Sequence, residues 1–223
     1  MTGIQHDFLQ DPAVHNYQDR KSGQQAVFEH QPAVAHDDGC WSSSNCSSAA
    51  SGNVEIQHER LQVIRGDVLE PASFQHTLIG QNAVVSALGI ITKEPTIFYS
   101  SSMQNLLNAM HTSGVQRLMC ISAGATYPGG WQRWIVKPIL WRLYRGMYAD
   151  LLRMEDTVKA SGLNWTIVRP PRLLDEPHTG RYRTAINKHL TFGVSIPRGD
   201  VADFIGTHLA DPMTYHTTVE LAK

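Results

Sequence analysis

Residues 117–124 read RLMCISAG: an apolar run from Leu118 to Ile121 that breaks into Ser122, Ala123 and Gly124. A short apolar run bounded by turn residues is the pattern of a strand buried on both faces of a sheet. In an open parallel sheet, ligands collect beyond the carboxyl ends of the strands. Ser122, the last side chain before the break, is therefore expected in an active-site crevice.

Outward from this strand, one unit recurs. IGQNAVVSALG (79–89), SGVQRLMCISAG (113–124) and SGLNWTIVRPP (161–171) each pass through a glycine, a short turn, a strand and a loop of small or rigid residues. The glycines at 80, 114 and 162 stand where a left-handed residue ends a helix. Strands are expected over 61–67, 83–88, 117–122, 165–168 and 217–221. Helices are expected after Pro71, from Pro95 to about Ser113, from near Pro138 to Gly162, and over 200–209. The third helix carries Leu140, Tyr144, Met147, Leu151, Met154 and Val158 on one face. Strands alternating with such helices build βαβ units and a parallel sheet.

The chain has 223 residues, enough for one α/β domain with its own core. Only 17% of residues are charged and the formal net charge is -1, so no general attraction to nucleic acid or acidic membrane is written into it. A small-molecule substrate fits better. Cys40, Cys46 and Cys120 lack zinc spacing, and no metal is expected. The first twenty residues lack a signal-peptide pattern, and no apolar run approaches the roughly 20 residues of a membrane helix. These features predict a cytoplasmic protein with no membrane span, as a monomer or weak homodimer.

Residues 1–56 differ in texture. Scattered histidines and the tract HDDGCWSSSNCSSAASGN (36–53) predict a poorly ordered leader. Its strand-like pieces are 25–28 and 33–35. Residues 57–223 form the expected domain. Within it, Trp131, Trp134 and Trp141 alternate with Arg133, Lys137, Arg142 and Arg145. That segment reads as a substrate lid, a subunit contact or a membrane-surface helix.

RGDV (65–68), SALG (86–89), ISAG (121–124) and SGLNWTIVRPPRL (161–173) together resemble the atypical short-chain dehydrogenase/reductases, in particular the NAD(P)-binding, NmrA-like proteins related to flavin and biliverdin reductase. The resemblance spans roughly residues 57–221. It implies a Rossmann-type doubly wound parallel sheet and NAD(P) as cofactor, with NADP favoured over NAD. It implies that Asp67 and the backbone of Val68 meet adenine, although an aspartate there also caps a helix well. Ala87, Leu88 and Gly89 would lie along the nicotinamide-side ribose, and Arg169 with Pro170 would border the nicotinamide. Ser122 would take the place of the superfamily's catalytic serine. Tyr148 is the tyrosine early in the right helix, but Leu152 stands where a lysine accompanies the catalytic tyrosine, and core packing explains Tyr148 as well. Arg172, Arg181 and Tyr182 would face a flat anionic substrate or a flavin ring, or else form a surface turn.

The family's opening strand and glycine-rich turn, which hold the pyrophosphate at a helix N-terminus, have no counterpart here. The second strand is missing as well, so the sheet is expected to lack its first two strands. The strand at 61–67 must then pair directly with that at 83–88, stand alone, or borrow strands from the leader or a partner. The leader is expected to replace the family's first βαβ through an alternative start, a rearrangement or a reading-frame change. The expected function is an NAD(P)-dependent oxidoreductase of the atypical short-chain type acting on a small carbonyl, quinone or flavin-like acceptor. The alternatives are a non-catalytic NAD(P)-binding redox sensor and a truncated, inactive family member.

Overall fold

The computed structural model describes residues 28–29, 44–48, 61–90, 92–124 and 132–223, the side chains of 28–29, 44–48, 61–63, 65 and 132–141 excepted. Most of the leader lies outside the described residues, and with it the expectation of poor order there. Ten strands are described: β1 (Phe28–Glu29), β2 (Ser44–Ser48), β3 (Leu61–Arg65), β4 (Ala83–Ser86), β5 (Arg117–Ile121), β6 (Asn164–Arg169), β7 (Arg172–Leu174), β8 (Arg183–Ile186), β9 (Ser195–Pro197) and β10 (Thr217–Ala222). The helices are α1 (Pro71–Phe74), which runs on into a 3-10 turn, α2 (Phe98–Ser113), α3 (Gln132–Lys159) and α4 (Arg198–His208).

The main sheet has the order β1-β4-β5-β6-β10-β8. Strands β4, β5, β6 and β10 are mutually parallel, in the register Ala83↔Arg117, Arg117↔Asn164 and Thr217↔Thr166. Both edges, β1 and β8, run antiparallel. RLMCI is the buried centre that its composition predicted, with Leu118, Met119 and Cys120 no more than 1% exposed. Successive residues feed opposite faces. Val84, Leu118, Cys120 and Ile167 pack under α2 and α3, while Val85, Met119, Val168 and Val219 pack under α4. The sheet is thus covered on both sides, as a doubly wound α/β fold requires.

The gap at the head of the sheet is filled from the leader. β1 pairs with β4, β2 pairs in parallel with β3, and β1 lies against β2. Of the arrangements the sequence allowed for this end of the sheet, strands borrowed from the leader is the one found, with β1 antiparallel at the edge of the main sheet and β2 and β3 forming a two-stranded sheet of their own.

Gly80, Gly114 and Gly162 adopt φ of 76°, 79° and 73°, the left-handed terminators expected of them. The third helix starts six residues earlier than its apolar face suggested, and its backbone leaves helical geometry at Tyr144 (φ -125°, ψ 30°). Two residues on, the loop after β4 crosses α3 at Gly146, where a Cβ would stand 2.8 Å from Pro95 Cα. Only glycine lets the two backbones approach this closely.

Candidate functional site

The carboxyl ends of β3, β4, β5 and β6 present the segments 66–68, 87–89, 122–124 and 169–171. After β3, the Asp67 carboxylate turns back on its own chain, and its Oδ1 accepts from Leu69 N at 2.8 Å. Ser73 closes the same turn, its Oγ accepting from Asp67 N at 2.9 Å and donating to Glu70 O at 2.7 Å. Asp67 remains exposed, whereas Val68 is buried and its carbonyl accepts from Asn105. Asp67 therefore closes a turn ahead of α1 and also keeps a carboxylate oxygen facing solvent.

After β4, Leu88 is buried and Gly89 is exposed, with open space where a Cβ would stand. The next residue is clamped. The Tyr99 hydroxyl accepts from Ile90 N at 2.8 Å and donates to Ile90 O at 2.6 Å. Burial raises the Tyr99 pKa, which keeps the phenol protonated for that donation. Tyr99 is held in turn by the fully buried Asp150, whose carboxylate accepts from Tyr99 N, Ser100 Oγ and Arg153. Asp150 on α3 thus caps α2 from a distance and fixes the loop that carries Gly89.

The ends of β5 and β6 meet at Glu155. This carboxylate is fully buried, and its Oε1 accepts from Ser122 Oγ at 2.7 Å and from Arg169 Nε at 2.9 Å. Its Oε2 accepts from Arg169 Nη2 and from Lys159 Nζ. Burial alone would raise the Glu155 pKa. The Arg169 hydrogen bonds and charge, helped by Ser122 and Lys159, outweigh burial and hold it below the ordinary glutamate value. The backbone extends the same seam, with Ser122 N donating to Val168 O and Gly124 N to Pro170 O, both at 2.8 Å. A Cβ on residue 124 would stand 3.0 Å from the Pro170 carbonyl, so glycine is what allows the loops to touch. Ser122 itself is 7% exposed, with its hydroxyl proton directed into the protein.

Tyr148 lies seven residues before Glu155 on α3, inside the cluster formed by Leu106, Met147 and Leu151. It is 6% exposed, and burial, then Tyr144, raises its pKa. Among the substrate-side residues, Arg172 and Arg181 are exposed, and Tyr182 is half-buried with its hydroxyl donating to Asp203 at 2.6 Å. Burial and that carboxylate raise the Tyr182 pKa. The preceding backbone is tied to the first turn of α4, where the buried Asp200 accepts from Thr179 N, Gly180 N and Thr179 Oγ1. Trp131 of the proposed lid lies outside the described residues, and only the backbone of 132–141 is described.

Glu155, Asp150 and Asp200 organise these loops, and sequence reasoning did not single them out. The signal for two of them was present. Asp150 and Glu155 interrupt the apolar face of α3 at positions flanking Met147, Leu151, Met154 and Val158, where an unpaired carboxylate would be costly.

The antiparallel direction of β1 bears on the cofactor. β1 runs against β4, with Phe28 opposite Ser86 and Glu29 opposite Val85, so its own carboxyl end does not lie beside that of β4. An exposed carboxylate at Asp67 and open space at Gly89 stand at two of these loop ends, groups that would suit a dinucleotide. Among the described residues, no glycine-rich turn lies between them.

Among the described residues, no helix is long and apolar enough to cross a membrane. The chain is 31% identical over 130 residues to an uncharacterized chloroplastic protein of Arabidopsis thaliana, a match covering 54% of this chain and 45% of that one. The chain thus spans about half the length of the curated relative it matches. A short-chain dehydrogenase/reductase from Veillonella parvula in complex with NADP superposes with a TM-score of 0.62 at 20% identity, covering 75% of each chain. An oxidoreductase from Lactococcus lactis does so with a TM-score of 0.62 at 18% identity, covering 80% of this chain and 78% of that one. Both likenesses concern the Rossmann-type fold. The family model described as NAD(P)H-binding matches residues 47–212, three-quarters of the sequence, and the chain belongs to that NAD(P)H-binding family.

Proposed function

We propose that this chain is an NAD(P)H-dependent oxidoreductase of the atypical, NmrA-like short-chain type, taking NADP in preference to NAD and passing hydride to a quinone or flavin-like acceptor. A bound dinucleotide would supply the hydride. The chain's own residues would hold its two ends, Asp67 and the Val68 backbone at adenine, and Gly89 with the Ser122 and Arg169–Pro170 seam at nicotinamide. Arg172 and Arg181 would attract an anionic acceptor.

One observation favours a quinone or flavin over a simple carbonyl. Of the two hydroxyls that the resemblance assigns to a carbonyl substrate, Ser122, which would polarise it, donates its hydrogen bond to Glu155 instead, and Tyr148, which would give the proton, is buried with a raised pKa. General acid catalysis is worth roughly 10²–10⁴-fold to a carbonyl reduction. A quinone or flavin ring delocalises the incoming electron pair and takes its proton from solvent, so it needs no such donor. The Glu155 seam supports the nicotinamide end by locking two loop ends together.

The test is turnover of NADPH with menadione, FMN and a small aldehyde, alongside titration of NADPH fluorescence. Quinone or FMN reduction with little aldehyde reduction supports the reading. Binding without any turnover supports the redox-sensor alternative, and aldehyde reduction that matches the quinone rate overturns the choice of acceptor.

A further inference from the structure

The hydrogen-bond polarity at Ser122 is fixed by its neighbours. A guanidinium has N–H donors and no acceptor, so both Glu155 oxygens act as acceptors toward Arg169. The carboxylate is therefore ionised and has no proton to give. Ser122 must be the donor in the 2.7 Å bond to Glu155 Oε1. Its backbone N–H is spent on Val168 O. A serine hydroxyl has one proton and two lone pairs, and what Ser122 keeps for a ligand is the lone pairs alone.

We infer that Ser122 is a hydrogen-bond acceptor in this site, accepting from the carboxamide N–H of a nicotinamide rather than donating to a carbonyl, with Glu155 as the positioning residue that sets this polarity. The inference rests on the reading of the chain as an NAD(P)H-dependent enzyme. The ligand group follows from the surroundings. Ser122 stands at the end of β5 against Val168 of β6 and is only 7% exposed, so a small flat group entering edge-on is what would reach it. A carboxamide is flat and carries two N–H donors on one side. A carbonyl oxygen brought to the same place would meet only lone pairs.

The probes are NADP⁺ and its 3-acetylpyridine analogue, in which an acetyl group keeps the carbonyl and removes the N–H donors. Dissociation constants are measured by calorimetry for the parent chain and for Ser122→Ala, with Ser122→Gly as a second variant that removes the same group and thermal unfolding as the check on folding. The parent is expected to bind NADP⁺ roughly 3–10-fold more tightly than the analogue, the range of one net hydrogen bond. Ser122→Ala should lose that factor for NADP⁺ and bind the analogue unchanged. Equal weakening of both ligands would mean that Ser122 donates to the carbonyl, and it overturns the assigned polarity while leaving the cofactor reading standing. Unchanged binding of both removes Ser122 from the contact. If the parent chain binds neither dinucleotide, the cofactor reading itself fails and the polarity assignment with it.

Discussion

Substituting Glu155 tests the seam that joins β5, β6 and α3. Glu155→Gln keeps the shape but removes the charge that balances Arg169, which is 9% exposed and stays buried. Breaking one side of a buried ion pair costs about 3–5 kcal/mol, because the partner is left uncompensated. Lys159 adds little to the loss, since its side chain is 35% exposed and can turn to water. At about 2–4 °C per kcal/mol for a chain this long, the expected drop in Tm is roughly 6–20 °C. Thermal unfolding followed by tryptophan fluorescence reads it. Glu155→Leu combined with Arg169→Leu should recover much of the loss, as apolar replacement of a whole buried pair is often near neutral. The pH dependence gives a second reading. Because the folded Glu155 pKa is depressed, its contribution is complete above the ordinary glutamate value of about 4.3 and is lost as pH falls through the folded value. Glu155→Gln should lack that acid limb. A double variant whose loss equals the sum of the two single losses would falsify the coupling.

Three further outcomes are expected. Gly146→Ala should cost about 1–3 kcal/mol in urea unfolding, since the new Cβ meets Pro95 backbone that has little room to retreat; an unchanged midpoint would show that the crossing yields freely. Asp150→Ala should cost about 2 kcal/mol by leaving Tyr99 N and Ser100 Oγ without their acceptor, with amide exchange rising first in the opening turn of α2. Tyr148→Phe should leave kcat for quinone or FMN reduction within about twofold, whereas a fall of roughly 10²-fold would identify Tyr148 as a general acid.

The parallel core was legible because its signals are local. Apolar runs of four to six residues mark β4, β5 and β6, and Gly80, Gly114 and Gly162 mark helix ends by a conformation that few other residues adopt. What was missed depends on distant partners. β7, β8 and β9 are three or four residues long and exist through pairing with one another or with β10, which no periodicity announces. β1 and β2 are defined by the slots they fill beside β4 and β3. The start of α3 precedes Pro138, near which its apolar face begins, because proline can also stand within a helix that tolerates a lost hydrogen bond. For the candidate site, Asp67, Gly89, Ser122 and Arg169 were legible as residues at the ends of strands, but the carboxylate that joins Ser122 to Arg169 was not. Glu155 acquires its partners only when β5 and β6 stand side by side.

Arg117, at the amino end of β5, shows what such distant wiring means for assembly. Its guanidinium donates to Leu209 O at 2.6 Å, to Asn164 O and Thr166 Oγ1 at 2.8 Å and to Thr214 Oγ1 at 3.1 Å, and it lies 4.5 Å from the Tyr215 ring centre. Burial lowers its pKa to about 10, still far above neutral, so it stays a cation. The carbonyl at the end of α4 is therefore capped by a residue 92 positions earlier in the chain. Contacts between residues so far apart in sequence form late, because the intervening chain must first be closed into a loop. The closing turn between α4 and β10 is thus a step that waits for β5 to be in place. Pulse-labelling hydrogen exchange during refolding should find the amides of 208–215 protected after those of 117–121, and simultaneous protection would remove Arg117 from that timing role.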